Sequence, residues 1–212
     1  MSYGTSSSDS TGTLLDVREA AVRRRSIRTF AASSITVEDV ATILDTVRLA
    51  PSAFNVQPWR FVVVESPEVK AQLAEAAYNQ RQVHSAPAVI VLYTDVRDAL
   101  EHIEEVVHPN YDEAAATQTA ATIRGMFAAK SDAEREAWGA EQGNIALGYL
   151  LLIAEAHGYQ TSPMAGFDAE KVKQLLGLPA HVRVPALVAI GRGVEEGFPH
   201  HRHGLDRIVR VA

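Results

Sequence analysis

Two short stretches hold the residues whose types and spacing could do chemistry. RRRSIRTF, residues 23–30, sets four arginines within residues 23–28, with a serine among them. Alternate side chains of an extended segment point to one side. Arg24, Ser26 and Arg28 would then present two guanidiniums and a hydroxyl on one face. Such a face suits a phosphate or another anion, because a guanidinium offers a planar fork of donors. The same residues also fit a solvated helix end, where cations offset the helix dipole. PSAFNVQPWRF, residues 51–61, places Asn55 and Gln57 between two prolines. An amide is donor and acceptor at once. Two amides facing one side suit a ring edge of mixed character, such as that of a flavin or a nucleobase. A rigid turn with Trp59 as core anchor is the plainer reading of the same loop.

Two further stretches carry weaker signals. In SPMAGFD, residues 162–168, Gly166 permits close backbone approach to a planar ligand; a simple strand-to-helix turn explains it equally. In FPHHRHGLDRIV, residues 198–209, His200, His201 and His203 surround Arg202. Neighbouring histidines on a loop with no carboxylate pattern make a poor ligand set, so no metal is expected and a cationic lip from Arg202 is. Gly191 and Gly193 follow a strand but precede no helix, so they fail as a dinucleotide fingerprint. No Walker loop, serine elbow or HExxH motif is present.

The rest of the chain must position these pieces. Its 212 residues suit one domain over 14–212 behind a flexible Ser/Thr/Gly-rich tail, 1–13. Acidic residues outnumber basic ones 26 to 20, which argues against tracking nucleic-acid phosphates. There is no cysteine, so disulfides and thiolate chemistry are excluded and a cytoplasmic setting is expected. No apolar run is long enough to span a membrane.

Periodicity predicts helices over about 14–25, started by Thr13 and Asp16, and over 37–50, started by Thr36 and Asp39 and stopped by Pro51. Strands are expected at 60–65, 87–94, 159–163 and 182–190, with Pro185 interrupting pairing in the last. A helix is expected at 67–78, and helical sequence over 97–130 broken near His108-Pro109. Another helix, 169–176, runs from Asp168 to a Gly177 cap. The second half of the most apolar helix, 133–157, is apolar nearly all round and should be buried in the middle of the molecule, with Gly139, Gly143 and Gly148 packing on another helix, of this chain or of a partner subunit. IVRV, residues 208–211, reads as a strand. The irregular alternation indicates α+β rather than a doubly wound sheet.

The order of RRRSIRTF, APSAFNVQPWRF, EQGNIALGYLLLIAEAHGYQTSPMAGFD and the basic segment at Arg202 resembles the FMN-dependent nitroreductase family. The resemblance implies a central mixed, mostly antiparallel sheet flanked by helices, in an intertwined homodimer with FMN at the subunit interface. It assigns Arg24, Arg25, Ser26, Arg28 and Arg202 to the phosphate, ribityl and pyrimidine groups of FMN. Asn55 and Gln57 would meet the pyrimidine edge, and Pro51, Ser52 and Ala53 would approach from the partner chain. Pro163, Ala165 and Gly166 would lie beside flavin N5, and Gln142 on the central helix would support the site. Ala165 stands where many relatives carry Glu, and His200 where some carry Lys. No catalytic side chain is implied. NADH or NADPH would be oxidised and a nitroaromatic, quinone or similar acceptor reduced in turn. Met126, Phe127 and Trp138 would line the slot for these substrates, or simply pack a core. Dehalogenation or flavin fragmentation on the same fold, and non-catalytic flavin binding, stay open as alternatives.

Overall fold

The structure, a computed structural model, describes residues 14–32 and 35–212. The expected 1–13 tail and Thr13 lie outside the described residues. Four strands form one sheet: β1 (Trp59–Val64), β2 (Ala88–Thr94), β3 (Gln160–Met164) and β4 (Arg183–Gly191), in the order β1-β2-β4-β3. All three strand pairings are antiparallel. The only parallel contact among the described residues is an isolated bridge between Ser26 and Thr161. Between β2 and β4 the register runs Leu92–Ala186 and then Thr94–Arg183, so the strand bulges around Pro185. A residue without an N–H forces such an interruption.

Strand periodicity divides the core. Val89 and Val91 face one side, where α3 (Pro67–Ala76), α4 (Arg81–Ser85) and α8 (Ala169–Leu176) pack. Ala88, Ile90 and Leu92 face the other, covered by α2 (Val37–Val47) and α7 (Asp132–Ala156). A third cluster joins α5 (Val96–Glu101) and α6 (Glu113–Ala128), with Ile103, Ile123 and Phe127 buried between them.

The helix ends follow local chemistry. Thr36 with Asp39 and Ser131 with Glu134 form capping boxes on α2 and α7. Asp168 caps α8, and Gly177 closes it at a φ of 63°, the left-handed region that favours glycine. The first helix, α1 (Val17–Arg23), is shorter than expected at both ends, because Asp16 is its N-cap and Arg24 already leaves helical geometry.

Three other expectations are not met within the single chain. The IVRV segment forms no strand within the chain: α9 (Leu205–Ile208) ends on its first residue, with the Val209 N–H returning to the Leu205 carbonyl, and among the described residues no strand pairs with it. Helix α7 buries one stripe, including Ala146, Leu150 and Ala154, while Ile145 and Tyr149 on its other side are each 39% exposed. Within the chain, Gly139 and Gly143 do not notch into the body of another helix. An added Cβ would meet Val96 Cγ2 at 2.6 Å from Gly139 and Thr94 Cγ2 at 2.8 Å from Gly143, so the two admit the start of α5 and the end of β2; Gly148 faces open space. Among the described residues no helix is long and apolar enough to cross a membrane.

Candidate functional site

The arginine segment owes its position to the residues between the charges. Arg24 ends α1 at φ −50° and ψ 128°, so the chain leaves the helix extended. The Ile27 N–H then donates to the Thr161 carbonyl at 3.1 Å, and Ile27 and Phe30 are buried. Gly197, at φ 70°, brings the C-terminal basic segment across: a Cβ there would lie 2.9 Å from Arg25 Cβ and 3.3 Å from the Ser26 carbonyl oxygen. The two segments enclose a pocket of about 180 Å³. Arg24, Arg25, Ser26 and Arg28 line one side; Phe198, Pro199, His200 and Arg202 line the other. Arg25 Nη1 lies 2.6 Å from His200 Nε2. Burial, and then the like charge of Arg202, lower the Arg24 pKa. Among the described residues Arg24 Nη1 is buried with no hydrogen-bond partner. A buried donor left unpaired is costly, and an anion in this pocket would supply the missing acceptor while offsetting the repulsion between the arginines.

Helix α4 ties this pocket to the Pro163–Gly166 loop. The Glu195 carboxylate accepts the Arg28 N–H at 2.7 Å and the Thr29 hydroxyl at 3.3 Å, and pairs with Arg81 at 3.4 Å. The Arg28 N–H is the main reason its carboxyl stays below the usual glutamate range. Ser85 Oγ donates to the Arg28 carbonyl at 3.2 Å, and Gln80 Nε2 donates to the Gly166 carbonyl at 2.7 Å. Ala165 and Gly166 are exposed beside this framework, and Pro163 lies in β3. Neither α4 nor Glu195 carried a sequence signal: five residues are too few for a periodicity.

The amide loop is wound tightly. Phe54, Asn55 and Gln57 have φ values of 55°, 56° and 47°, a region that costs a non-glycine residue roughly 1–3 kcal/mol. Hydrogen bonds involving side chains help hold it there. The Ala53 N–H donates to Gln142 Oε1 at 2.9 Å, and the Gln57 N–H to Ser52 Oγ at 2.9 Å. Asn55 Nδ2 donates to the Val106 carbonyl at 2.9 Å, and Gln57 Nε2 to Asn55 Oδ1 at 3.0 Å. The two amides therefore bond to each other in a left-handed turn, rather than alternating along an extended segment. Beside them a groove of about 600 Å³ is lined by residues including Phe54, Asn55, Val106, Tyr111 and Met126. Of the three residues expected to line a slot, only Met126 reaches it. Phe127 is 3% exposed and packs edge-to-face on Trp138, with ring centroids 4.8 Å apart, inside the α5–α6 cluster.

His201 and His203 are exposed. The donor cluster that does form lies elsewhere, where Asp95, Glu136 and His181 bring one donor atom each within 4.8 Å of one another. Glu136 accepts the Val96 N–H at 2.7 Å and the Thr94 hydroxyl at 3.1 Å, and His181 lies 2.9 Å from Asp95. These bonds clamp α7 to the start of α5. No sequence spacing announced them, because the three residues come from separate elements.

The sequence model of the group described as the nitroreductase family matches residues 21–192. The chain belongs to the nitroreductase family. It is 46% identical over 196 residues to a Thermus thermophilus protein named NADH dehydrogenase, a match covering 92% of this chain and 96% of that one. It is 36% identical over 202 residues to a Bacillus subtilis protein named as NAD(P)H nitroreductase YdgI, covering 91% and 96%. A crystal structure from Exiguobacterium sibiricum, of a protein assigned as a nitroreductase in complex with FMN, aligns with a TM-score of 0.87 at 30% identity, covering 96% of this chain and all of that one. The α+β nitroreductase fold and the oxidoreductase class expected from the motifs therefore hold. Within this nitroreductase-family chain, no hydrogen bond or ion pair among the described residues joins the arginine pocket to the amide loop. Ile27 and Met164 belong to one face of the sheet; Ala50 and Trp59 belong to the other.

Proposed function

We propose that the protein is an FMN-dependent NAD(P)H oxidoreductase of the nitroreductase type, acting as a homodimer in the cytoplasm. The observation that carries this reading is the pocket in which Arg24, Arg25, Ser26, Arg28 and Arg202 surround an unpartnered buried guanidinium nitrogen. The FMN phosphate, near two negative charges at neutral pH, is an anion of the right size and sign. The amide loop sits with the other face of the sheet, so two copies would each supply half of a site. Arg24 and Arg202 of one copy would hold the phosphate, while Asn55 and Gln57 of the other exchange their mutual bond for bonds to the pyrimidine edge.

Bound flavin supplies the hydride and electron chemistry, which is why no triad or metal is needed. The chain supplies placement and charge. Arg28 would set positive charge near the pyrimidine. Pro163, Ala165 and Gly166 would offer flat backbone beside the ring, held by Gln80. Gln142 would keep Ser52 and Ala53 in register. The apolar groove at Phe54 and Met126 suits a planar nicotinamide and, in turn, a nitroaromatic or quinone acceptor. A chain without cysteine fits a reducing compartment.

The test is direct. Purified protein supplied with FMN should show visible flavin absorbance and oxidise NADH or NADPH when a quinone or nitro compound is added. Absence of both overturns the reading. Arg28→Ala should weaken FMN binding; unchanged cofactor content would mean the site is elsewhere.

A further inference from the structure

Glu155 stands in the last turn of α7 and is 6% exposed. A carboxylate there faces the negative end of the helix dipole, where an anion is unfavourable. Burial raises its pKa, and the charges that act on it are Arg24, Arg23 and Arg25 of the α1 terminus. Among the described residues Glu155 Oε2 has no hydrogen-bond partner, nor has Arg24 Nη1 or Thr161 Oγ1. Thr161 pairs with Ser26 through the isolated bridge. The three buried polar atoms without partners thus belong to pocket-lining Arg24, to Thr161, which pairs with pocket-lining Ser26, and to Glu155, on which the Arg24 charge acts. A charge placed against both burial and a helix dipole is a local rule broken, and such breaks collect at functional sites.

We propose that Glu155 is a positioning residue: it is the buried counter-charge that holds the Arg24 guanidinium half-buried and aimed into the anion pocket. The proposal rests on the reading of that pocket as the FMN phosphate site. Arg24 otherwise faces only like charges, from Arg202 and Arg25, which would drive it towards solvent. Glu155 attracts it from behind, on the protein side, and leaves Nη1 free for an incoming phosphate oxygen. Glu155 touches neither ligand nor reacting atoms, so its effect must pass entirely through Arg24.

The experiment is a double-mutant cycle of Glu155→Gln and Arg24→Ala, read as the affinity of the apoprotein for FMN, riboflavin and inorganic phosphate. Glu155→Gln keeps the shape and removes the charge. FMN affinity should fall about tenfold, the loss expected of one charged hydrogen bond, with riboflavin affinity unchanged. Adding Arg24→Ala to Glu155→Gln should cost no more than Arg24→Ala alone. The pH profile gives a readout that a packing role would not move. As pH falls, Glu155 protonates earlier than an ordinary glutamate, so the preference for FMN over riboflavin should decline more steeply in the wild type than in Glu155→Gln. Titration of the phosphate itself is common to both and cancels.

Unchanged FMN affinity in Glu155→Gln, fully additive losses, or equal pH slopes overturn the proposal. If Glu155→Gln does not fold, the wild type and Arg24→Ala are compared instead, and equal pH slopes there overturn it as well. If FMN does not bind even the wild type, the cofactor reading falls on its own, and the coupling between Glu155 and Arg24 is still decided by inorganic phosphate.

Discussion

Gln142, in the middle of the longest helix, accepts the Ala53 backbone N–H at 2.9 Å while itself only 9% exposed. This one contact fixes a strained loop to the helix that spans the sheet. Without it, Phe54, Asn55 and Gln57 lose an anchor that offsets their left-handed geometry. Gln142→Ala should therefore cost about 1–2 kcal/mol of stability, a fall of some 2–4 °C in Tm per kcal/mol. Amide exchange at Ala53 should accelerate with it. Unchanged protection at Ala53 would show that the loop holds its shape alone.

Gly139 and Gly125 make a matched pair of helix glycines with opposite expectations. At Gly139 an added methyl meets Val96 Cγ2 at 2.6 Å and Thr94 Oγ1 at 3.3 Å; at Gly125 it meets nothing within 4 Å. Gly125→Ala should stabilise by up to about 1 kcal/mol through helix propensity. Gly139→Ala gains the same propensity but overpacks a tight contact, which costs about 1–3 kcal/mol. Urea unfolding of the two variants should move the midpoint in opposite directions. Equal stabilisation would mean that α7 slides freely past the end of β2 and the start of α5.

Local punctuation made much of the fold readable in advance. Helix α8 was bounded correctly because Asp168 and Gly177 each carry a strong end signal, and the β4 bulge was legible because Pro185 lacks a donor. The C-terminal segment was misread because β-branched Ile208 and Val209 favour a strand only where an edge is available to pair with. Within one chain α7 is only half-buried, because apolar Ile145 and Tyr149 show that a surface is apolar, not what covers it. In the candidate site, the density of arginines over 23–28 pointed to the pocket, which Arg25 lines together with the alternating Arg24, Ser26 and Arg28. Glu195 was not legible, since it reaches Arg28 from 167 residues away and sits in no motif. Glu155 was hidden as one acid in an apolar helix.

Ile145 and Tyr149 should mark the contact between copies. They lie on the α7 face opposite the sheet, next to Gly148, where an added methyl meets no atom within 4 Å. If two copies complete each site, charge on this face separates them and the cofactor is lost together with the dimer. Ile145→Arg with Tyr149→Arg should shift the mass by light scattering from two chains to one and release FMN. A variant that stays paired and keeps its flavin would place the contact on another face.

Glu136 should set a pH slope on stability through its clamp between α7 and α5. It is 1% exposed, and burial raises its pKa; the bonds from Val96 and Thr94 and the nearby His181 oppose the shift without cancelling it. The folded protein therefore holds this proton more tightly than the unfolded chain does. Wherever that is so, stability falls as pH rises. The contribution is complete below the ordinary glutamate range and is lost as pH climbs through the raised folded value. Glu136→Gln can still accept the Val96 N–H and can donate to the Thr94 hydroxyl oxygen, so it should remove this slope and be at least as stable as the wild type at neutral pH. Glu136→Ala leaves the Val96 N–H buried without an acceptor and opens a cavity, at a cost of about 2–4 kcal/mol. Urea titrations of the three proteins across acidic to neutral pH separate these outcomes. A wild-type slope that survives unaltered in Glu136→Gln would assign the proton to another group.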